Sequence, residues 1–225
     1  MKYLCIITAR RDSKGIPGKN WKLLKGKPLI QYSIETAKAV DKIDTICVST
    51  NAPKVLEIAE TLNVPAPFVR PEEISLDQTP SHDVLIHAIE HYETLGKHFD
   101  AIVLLQPTSP FRKTSFVAEA IELFETSTNC DMVVSVCESP YNPYYNIYLE
   151  EDGFIHRSIP SNFTRRQDCP KAFLVNGSIY IINIESLKKQ QLHEFEKVVK
   201  YEMPEAYSID LDTLADWEKA EQLDL

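Results

Sequence analysis

Five apolar stretches, residues 3–9, 45–50, 101–106, 132–137 and 178–184, set the rhythm of the chain. Between and after them run segments with apolar residues at helical spacing, residues 29–40, 53–62, 82–95, 115–126 and 214–223. The first four apolar stretches are almost continuous rather than alternating, which is the pattern of parallel strands covered on both faces. The order of strand and helix predicts an α/β fold: a three-layer α/β/α sandwich, mostly parallel and doubly wound in the Rossmann-like manner. One stretch breaks the rhythm. Residues 139–170 carry Pro140, Pro143, a cluster of aromatic residues and the sequence Glu151-Asp152-Gly153, which predicts a hairpin turn. We read this stretch as an arm or lid inserted into a single domain of residues 1–225. Aromatic residues on such an arm are costly to expose, which points to packing against a second subunit.

With 225 residues, 44% of them hydrophobic, the chain can bury a substantial core as one domain. No stretch approaches the roughly 20 apolar residues that span a bilayer. The first residues lack the basic and apolar regions of a secretory leader, so a cytoplasmic setting without membrane attachment is expected. Cys5, Cys47, Cys130, Cys137 and Cys169 are odd in number and form no C-x-x-C pair, and they read as reduced, mostly buried thiols. A net charge of -9 disfavours nucleic acid and acidic membranes as partners. The charge is uneven, however. Residues 10–27 hold Arg10, Arg11, Lys14, Lys19, Lys22, Lys25 and Lys27 against the single acid Asp12. An acidic body with one cationic mouth suits a small anionic ligand, although a solvated loop surface has the same composition.

That mouth follows the first strand directly. The apolar run Leu4-Cys5-Ile6-Ile7-Thr8-Ala9 breaks into Arg10-Arg11-Asp12-Ser13-Lys14-Gly15-Ile16-Pro17-Gly18-Lys19-Asn20. Glycines allow close backbone approach or positive φ while Lys and Arg neutralise charge, so a strand followed by a basic, glycine-bearing loop reads as a polyphosphate cradle. It matches neither the Walker A pattern nor G-x-G-x-x-G, which sets aside P-loop ATPases and dinucleotide-dependent dehydrogenases. Near the other end, Asp210-Leu211-Asp212-Thr213 precedes an amphipathic helix. In extended backbone the two carboxylates share a face and can hold a hard cation. Thr213-x-x-Asp216 can equally be a capping box for the helix, and the two roles are compatible. The segment from Arg165 to Tyr180 combines guanidinium, amide and hydroxyl groups suited to a carboxylate and to sugar hydroxyls. His87 and His91 stand at helical i, i+4 spacing but without a third ligand, and read as helix-surface or partly buried residues.

Five segments occur together and in order: Ala9-Arg10-x-x-Ser13-Lys14-Gly15-x-Pro17-x-Lys19-Asn20, Arg70-Pro71, Gln106-Pro107-Thr108-Ser109-Pro110-x-Arg112, Arg166-Gln167 with Asn176-Gly177-Ser178-Ile179-Tyr180, and Asp210-x-Asp212-Thr213. In this the chain resembles the acylneuraminate cytidylyltransferases, the CMP-sialic acid synthetases and their bacterial relatives acting on other nonulosonic acids. The resemblance implies a nucleotide-diphospho-sugar transferase fold with a protruding dimerisation arm. It also implies transfer of CMP from CTP to the anomeric 2-hydroxyl of a nonulosonic acid such as N-acetylneuraminate or legionaminate, with release of pyrophosphate. Mg²⁺ would be the cofactor, with Mn²⁺ able to substitute, and the enzyme would be a homodimer whose arm helps to close the neighbouring site. By position, the resemblance puts Ala9, Arg10, Ser13, Lys14, Lys19, Asn20, Arg70 and Ser81 on the nucleotide, Gln106, Arg166, Gln167, Asn176 and Tyr180 on the sugar acid, and Asp210 and Asp212 on the metal. Arg10, Lys19 and Asp212 would be the catalytic group.

Two departures bear on specificity. The loop has Arg11-Asp12 where many members carry a glycine pair, and the segment from Pro140 to Asn146 lacks a lysine that some sialate enzymes place there. The particular acceptor therefore stays open. A CMP-Kdo synthetase-like enzyme and a non-catalytic nucleotide-binding regulator are the alternatives. The first usually has a different loop and lacks the RQ and NGSIY segments, and the second is expected to have lost the acid pair.

Overall fold

Strand β1 (Tyr3–Ala9) divides its side chains between two hydrophobic clusters, as the period of a strand requires. Tyr3, Cys5, Ile7 and Ala9 enter one cluster and Leu4 and Ile6 the other. The computed structural model describes residues 1–223. After β1 come the short strands β2 (Leu23–Leu24) and β3 (Lys27–Pro28), then α1 (Leu29–Lys38), β4 (Thr45–Thr50), α2 (Pro53–Thr61) and α3 (Ser81–Thr94). The chain continues through β5 (Ala101–Leu105), α4 (Thr114–Thr126), β6 (Met132–Glu138), β7 (Tyr148–Glu151) and β8 (Phe154–Arg157). It ends with β9 (Phe173–Asn183), α5 (Ile184–Leu187), β10 (Val198–Glu202) and α6 (Leu214–Gln222).

Six strands form the main sheet in the order β10-β6-β9-β5-β1-β4. Strands β4, β1 and β5 pair in parallel, as do β6 and β10, whereas β9 runs antiparallel to both β5 and β6. Helices α1, α2 and α4 cover one face through Ile30, Ile34, Val55, Ala59 and Ile121, and α3 and α5 cover the other through Leu85, Ile89, Tyr92 and Leu187. The expected three-layer α/β/α sandwich is the fold observed. A third cluster, Ile16, Leu24, Leu29, Leu211, Trp217 and Ala220, packs the first loop against α6 and the segment before it. All five cysteines are free thiols, four of them buried. Among the described residues no helix is long and apolar enough to cross a membrane.

The hydrophobic pattern misleads at two strands. β9 starts at Phe173, well before the predicted start, because Leu174 and Val175 extend it past the core while remaining exposed. Its register against β6 shifts between Val134 and Val136. β10 escapes prediction because Val198-Val199-Lys200-Tyr201-Glu202 alternates exposed with half-buried side chains, as an edge strand does.

Residues 139–170 leave the main sheet and carry the antiparallel pair β7 and β8. The turn lies at Asp152 and Gly153, both with positive φ, 52° and 80°, the geometry that favours an Asp-Gly hairpin. Buried Asn142 anchors the base of the arm, donating to the Pro170 carbonyl at 2.8 Å and accepting from the Tyr144 amide at 3.0 Å. Beyond that base, Leu149, Phe154 and Ile155 are exposed in the single chain.

Candidate active site

The carboxyl ends of β1 and β5 open onto a cavity of about 330 Å³, the position where ligands sit in open α/β sheets. Thr8, Arg10, Ser13, Lys19 and Asn20 line it from β1 and the loop that follows, and Gln106, Pro107 and Thr108 from the end of β5. Arg70, Ser75, Leu76, Thr79 and Ser81 form the wall leading into α3, and Asp210 and Asp212 close the remaining side.

Local contacts explain how the first loop and the acid pair come together. Gly15 approaches the Asp212 backbone so closely that a Cβ would lie 2.1 Å from the Asp212 carbonyl oxygen. Gly18 takes positive φ (66°) and opens the single 3₁₀ turn Lys19–Trp21. That turn sends the Lys19 ammonium to the Leu211 carbonyl at 2.9 Å and to Asp212 Oδ1 at 3.1 Å. Buried Asn20 donates from Nδ2 to the Arg10 carbonyl at 2.9 Å and so fixes the loop's return. On the other side, the Leu211 amide donates to the Thr108 carbonyl at 2.9 Å. The apolar side chains of Leu211 and Ile16 complete the junction from the third cluster.

The cations of the loop are largely paired within the protein. Arg10 Nη1 lies 2.6 Å from Asp77 Oδ1, Lys14 Nζ lies 2.5 Å from Asp77 Oδ2, and Arg11 Nη1 lies 3.5 Å from Glu72 Oε1. Asn51 supports the last contact, accepting from the Arg11 amide at 2.7 Å and donating to Glu72 at 3.1 Å. Arg70 is different. It is buried and donates from Nε to Ser75 Oγ at 3.1 Å. Burial, then the nearby Arg10 charge, pulls its pKa down to about 10, so it remains a cation at neutral pH. Asp210 titrates above the usual aspartate range because it is buried; the neighbouring Asp212 adds to the rise, while a hydrogen bond with Thr108 and the charge of Lys19 oppose it. Thr213 caps α6 at the same time: its Oγ1 accepts from the Asp216 amide at 3.2 Å, and its own amide donates to Asp216 Oδ2 at 2.8 Å. The capping box is present, and it leaves Asp210 and Asp212 lining the cavity while Thr213 serves the helix.

The cavity thus brings together Arg10, Ser13, Lys19, Asn20, Arg70, Ser81, Gln106, Asp210 and Asp212 from the residues singled out in the sequence. Ala9 is buried at the end of β1 and its carbonyl accepts from Thr50. Lys14 lies outside, beside Asp77, in an adjoining cleft. Asn176 is buried and does not line the cavity, and its amide is fully engaged: Oδ1 accepts from Ser135 Oγ at 2.6 Å and from the Ser178 amide at 3.2 Å, and Nδ2 donates to Ser208 Oγ at 2.9 Å. Half-buried Tyr180 has its hydroxyl pKa raised, first by burial and then by the charge of Asp210. Arg166 and Gln167 are not brought to this cavity and line a separate cleft at the base of the arm with Glu138, Asn142 and Lys171. His87 and His91 flank the ring of Phe68, with centroids 4.5 and 5.0 Å away.

Arg112 ends the motif that follows β5 and serves the fold rather than the cavity lining. Its guanidinium is fully buried and donates to Ser178 Oγ at 3.0 Å, to Ser33 Oγ at 2.8 Å and to the Gln106 carbonyl. Burial lowers its pKa to about 9, still above neutral pH, so these are charge-assisted bonds. They tie the loop after β5 to α1 and β9. The signal in the sequence was a lone arginine after two prolines, which cannot reveal that the hydroxyls meeting it come from distant segments.

The sequence profile of the cytidylyltransferase family matches residues 4–225. The chain is 35% identical over 221 residues to a protein named N-acylneuraminate cytidylyltransferase from Streptococcus agalactiae, covering 96% of this chain and 52% of that protein. The chain therefore spans about half the length of that streptococcal relative. It is also 30% identical over 227 residues to the CMP-N,N'-diacetyllegionaminic acid synthase of Legionella pneumophila, covering 99% of this chain and 96% of that one. Among solved structures, a CMP:2-keto-3-deoxy-manno-octonic acid synthetase complexed with CTP shares the fold, with a TM-score of 0.72 at 18% identity and coverage of 98% and 97%. Fold, motif order and profile agree, and the chain belongs to the cytidylyltransferase family.

Proposed function

We propose that this chain transfers CMP from CTP to the 2-hydroxyl of a nonulosonic acid and releases pyrophosphate. The observation that carries this reading is the meeting of a cationic loop and two carboxylates across one cavity. In the transfer, the acceptor hydroxyl oxygen bonds to the α-phosphorus, the bond from that phosphorus to the pyrophosphate oxygen breaks, and the hydroxyl proton passes to solvent. The protein's share is positioning and charge stabilisation. Arg10, Ser13 and Lys19 bind the triphosphate, with Lys19 exchanging Asp212 for a phosphate oxygen. Asn20, Arg70 and Ser81 face the cytidine, and Gln106 the sugar acid.

Asp210 and Asp212 offer two hard oxygen donors, and no group of three or more His, Cys, Asp or Glu suited to a metal forms among the described residues. That donor set fits Mg²⁺, which takes one or two carboxylates and completes its shell with substrate phosphates and water. When bound, the ion would offset phosphate charge and polarise the reacting phosphorus. We further propose a cytoplasmic homodimer in which the arm carries Arg166 and Gln167 toward the neighbouring copy's cavity, with small molecules rather than nucleic acid or membrane as its ligands.

The test is pyrophosphate release from the purified chain with CTP and Mg²⁺, offered N-acetylneuraminic, legionaminic, pseudaminic and Kdo acceptors. Release with a nine-carbon acid is expected and identifies the acceptor. Release with Kdo alone would replace the sugar class, and release with none would overturn the transferase reading.

A further inference from the structure

Arg10 and Lys14 already hold an anion, and it belongs to the protein. The Asp77 carboxylate lies between them, one oxygen 2.6 Å from Arg10 Nη1 and the other 2.5 Å from Lys14 Nζ. Arg10 Nη1 also donates to the Leu76 carbonyl at 3.4 Å. Asp77 sits on a short surface turn, closed by the Thr79 amide donating to the Leu76 carbonyl at 3.2 Å, and this turn is part of the cavity wall. Its side chain is 34% exposed and that of Lys14 is 81% exposed, so the contact can open without disturbing the core.

A carboxylate offers arginine and lysine the same charged oxygen acceptors that a phosphate does. We infer that Asp77, held from outside the cavity by Lys14, is an internal counter-anion that competes with ligand phosphates for Arg10, weakening the hold on triphosphate and returning to Arg10 as pyrophosphate leaves. The inference rests on the proposed triphosphate site and concerns its regulation. It differs in sign from a simple structural role. If Asp77 only stapled the wall to the loop, removing its charge would loosen the site and weaken anion binding. As a competitor, its removal strengthens binding.

The experiment is isothermal titration of the full chain with pyrophosphate in excess Mg²⁺, for the unmodified protein, Asp77→Asn and Asp12→Asn. Asp12 is 81% exposed and lies 3.4 Å from Arg11, so its substitution removes the same charge from the same mouth without touching Arg10 or Lys14. Two partly exposed ion pairs are lost in Asp77→Asn, which predicts pyrophosphate binding about three- to tenfold tighter. Asp12→Asn is expected to change it less than about twofold. Asp77→Ser repeats the test if the amide variant melts early. Unchanged or weaker binding in the Asp77 variants, or an equal gain in Asp12→Asn, overturns the inference. Turnover of CTP together with unchanged affinity in Asp77→Asn sinks the counter-anion alone. A gain in affinity without turnover on any acceptor upholds it and sinks the transferase reading, and absence of pyrophosphate binding in every variant sinks both.

Discussion

Replacing Gly15 with alanine tests the junction on which the site depends. The added Cβ would lie 2.1 Å from the Asp212 carbonyl oxygen and 3.3 Å from its carbonyl carbon. An ordinary C···O contact is about 3.3 Å, so the two backbones would have to part by about 1 Å. Neither partner is a flexible side chain that could swing aside. The separation would stretch the bonds from Lys19 to Leu211 and Asp212, now 2.9 and 3.1 Å, beyond useful hydrogen-bond range. A displacement of about 1 Å at a reacting centre is worth about a hundredfold in rate. Overpacking of this kind destabilises by about 1–3 kcal/mol, which for a domain of this size lowers Tm by about 2–12 °C. The assay is kcat for pyrophosphate release at saturating CTP and acceptor, beside a thermal melt of the same preparation. A folded Gly15→Ala protein with kcat within threefold of the original would refute the reasoning, because it would mean that the acid pair and the cationic loop do not need this spacing.

Lys19→Ala and Asp212→Ala should each lower turnover at least about a hundredfold, the scale of losing one electrostatic contact in a catalytic site; steady-state kinetics on folded protein would test this. Arg112→Met strands the Ser33 and Ser178 hydroxyls and the Gln106 carbonyl, so a loss of about 3–5 kcal/mol is expected by analogy with breaking a buried charged contact. Denaturant titration measures that loss, and Arg112→Lys should recover part of it. Asp210→Asn should melt at a higher temperature than the original protein at pH 7–8 in the absence of metal, while losing turnover. The folded pKa of Asp210 is raised, so between the ordinary aspartate value and the raised one the native state binds more protons than the unfolded chain. Unfolding free energy therefore falls as pH rises through that interval, and the penalty persists above it. The advantage of Asp210→Asn should accordingly shrink as pH drops toward the ordinary value, and a constant advantage at all pH would exclude titration of Asp210 as its source.

What was legible in the sequence was local. β1 and the basic loop that follows it, α2 and the cap of α6 are each written in a few adjacent residues, as apolar runs, Pro53 at a helix start and Thr213-x-x-Asp216. β10 was not legible, since an edge strand needs no continuous apolar run. Nor was the antiparallel insertion of β9, because direction is decided by its neighbours β5 and β6. The same limit applies to individual side chains. Gly15 reads as a place where the backbone nears an anionic ligand, yet the close approach in the fold is to the protein's own Asp212 carbonyl. The composition of residues 10–27 suggests an open positive mouth, yet Arg10 and Lys14 meet Asp77, Arg11 meets Glu72, Lys19 meets Asp212 and Lys27 meets Glu35. None of those acids is marked by its local sequence as a partner. Arg70, by contrast, forms no ion pair among the described residues, and burial makes its charge the least screened by solvent of the cations that line the cavity. On the proposed reading, phosphate binding is an exchange of carboxylate for phosphate at the loop cations, beside a fixed buried arginine, rather than attraction by vacant cations. Affinity then depends on which internal acids are displaced as much as on how many basic residues the loop contains.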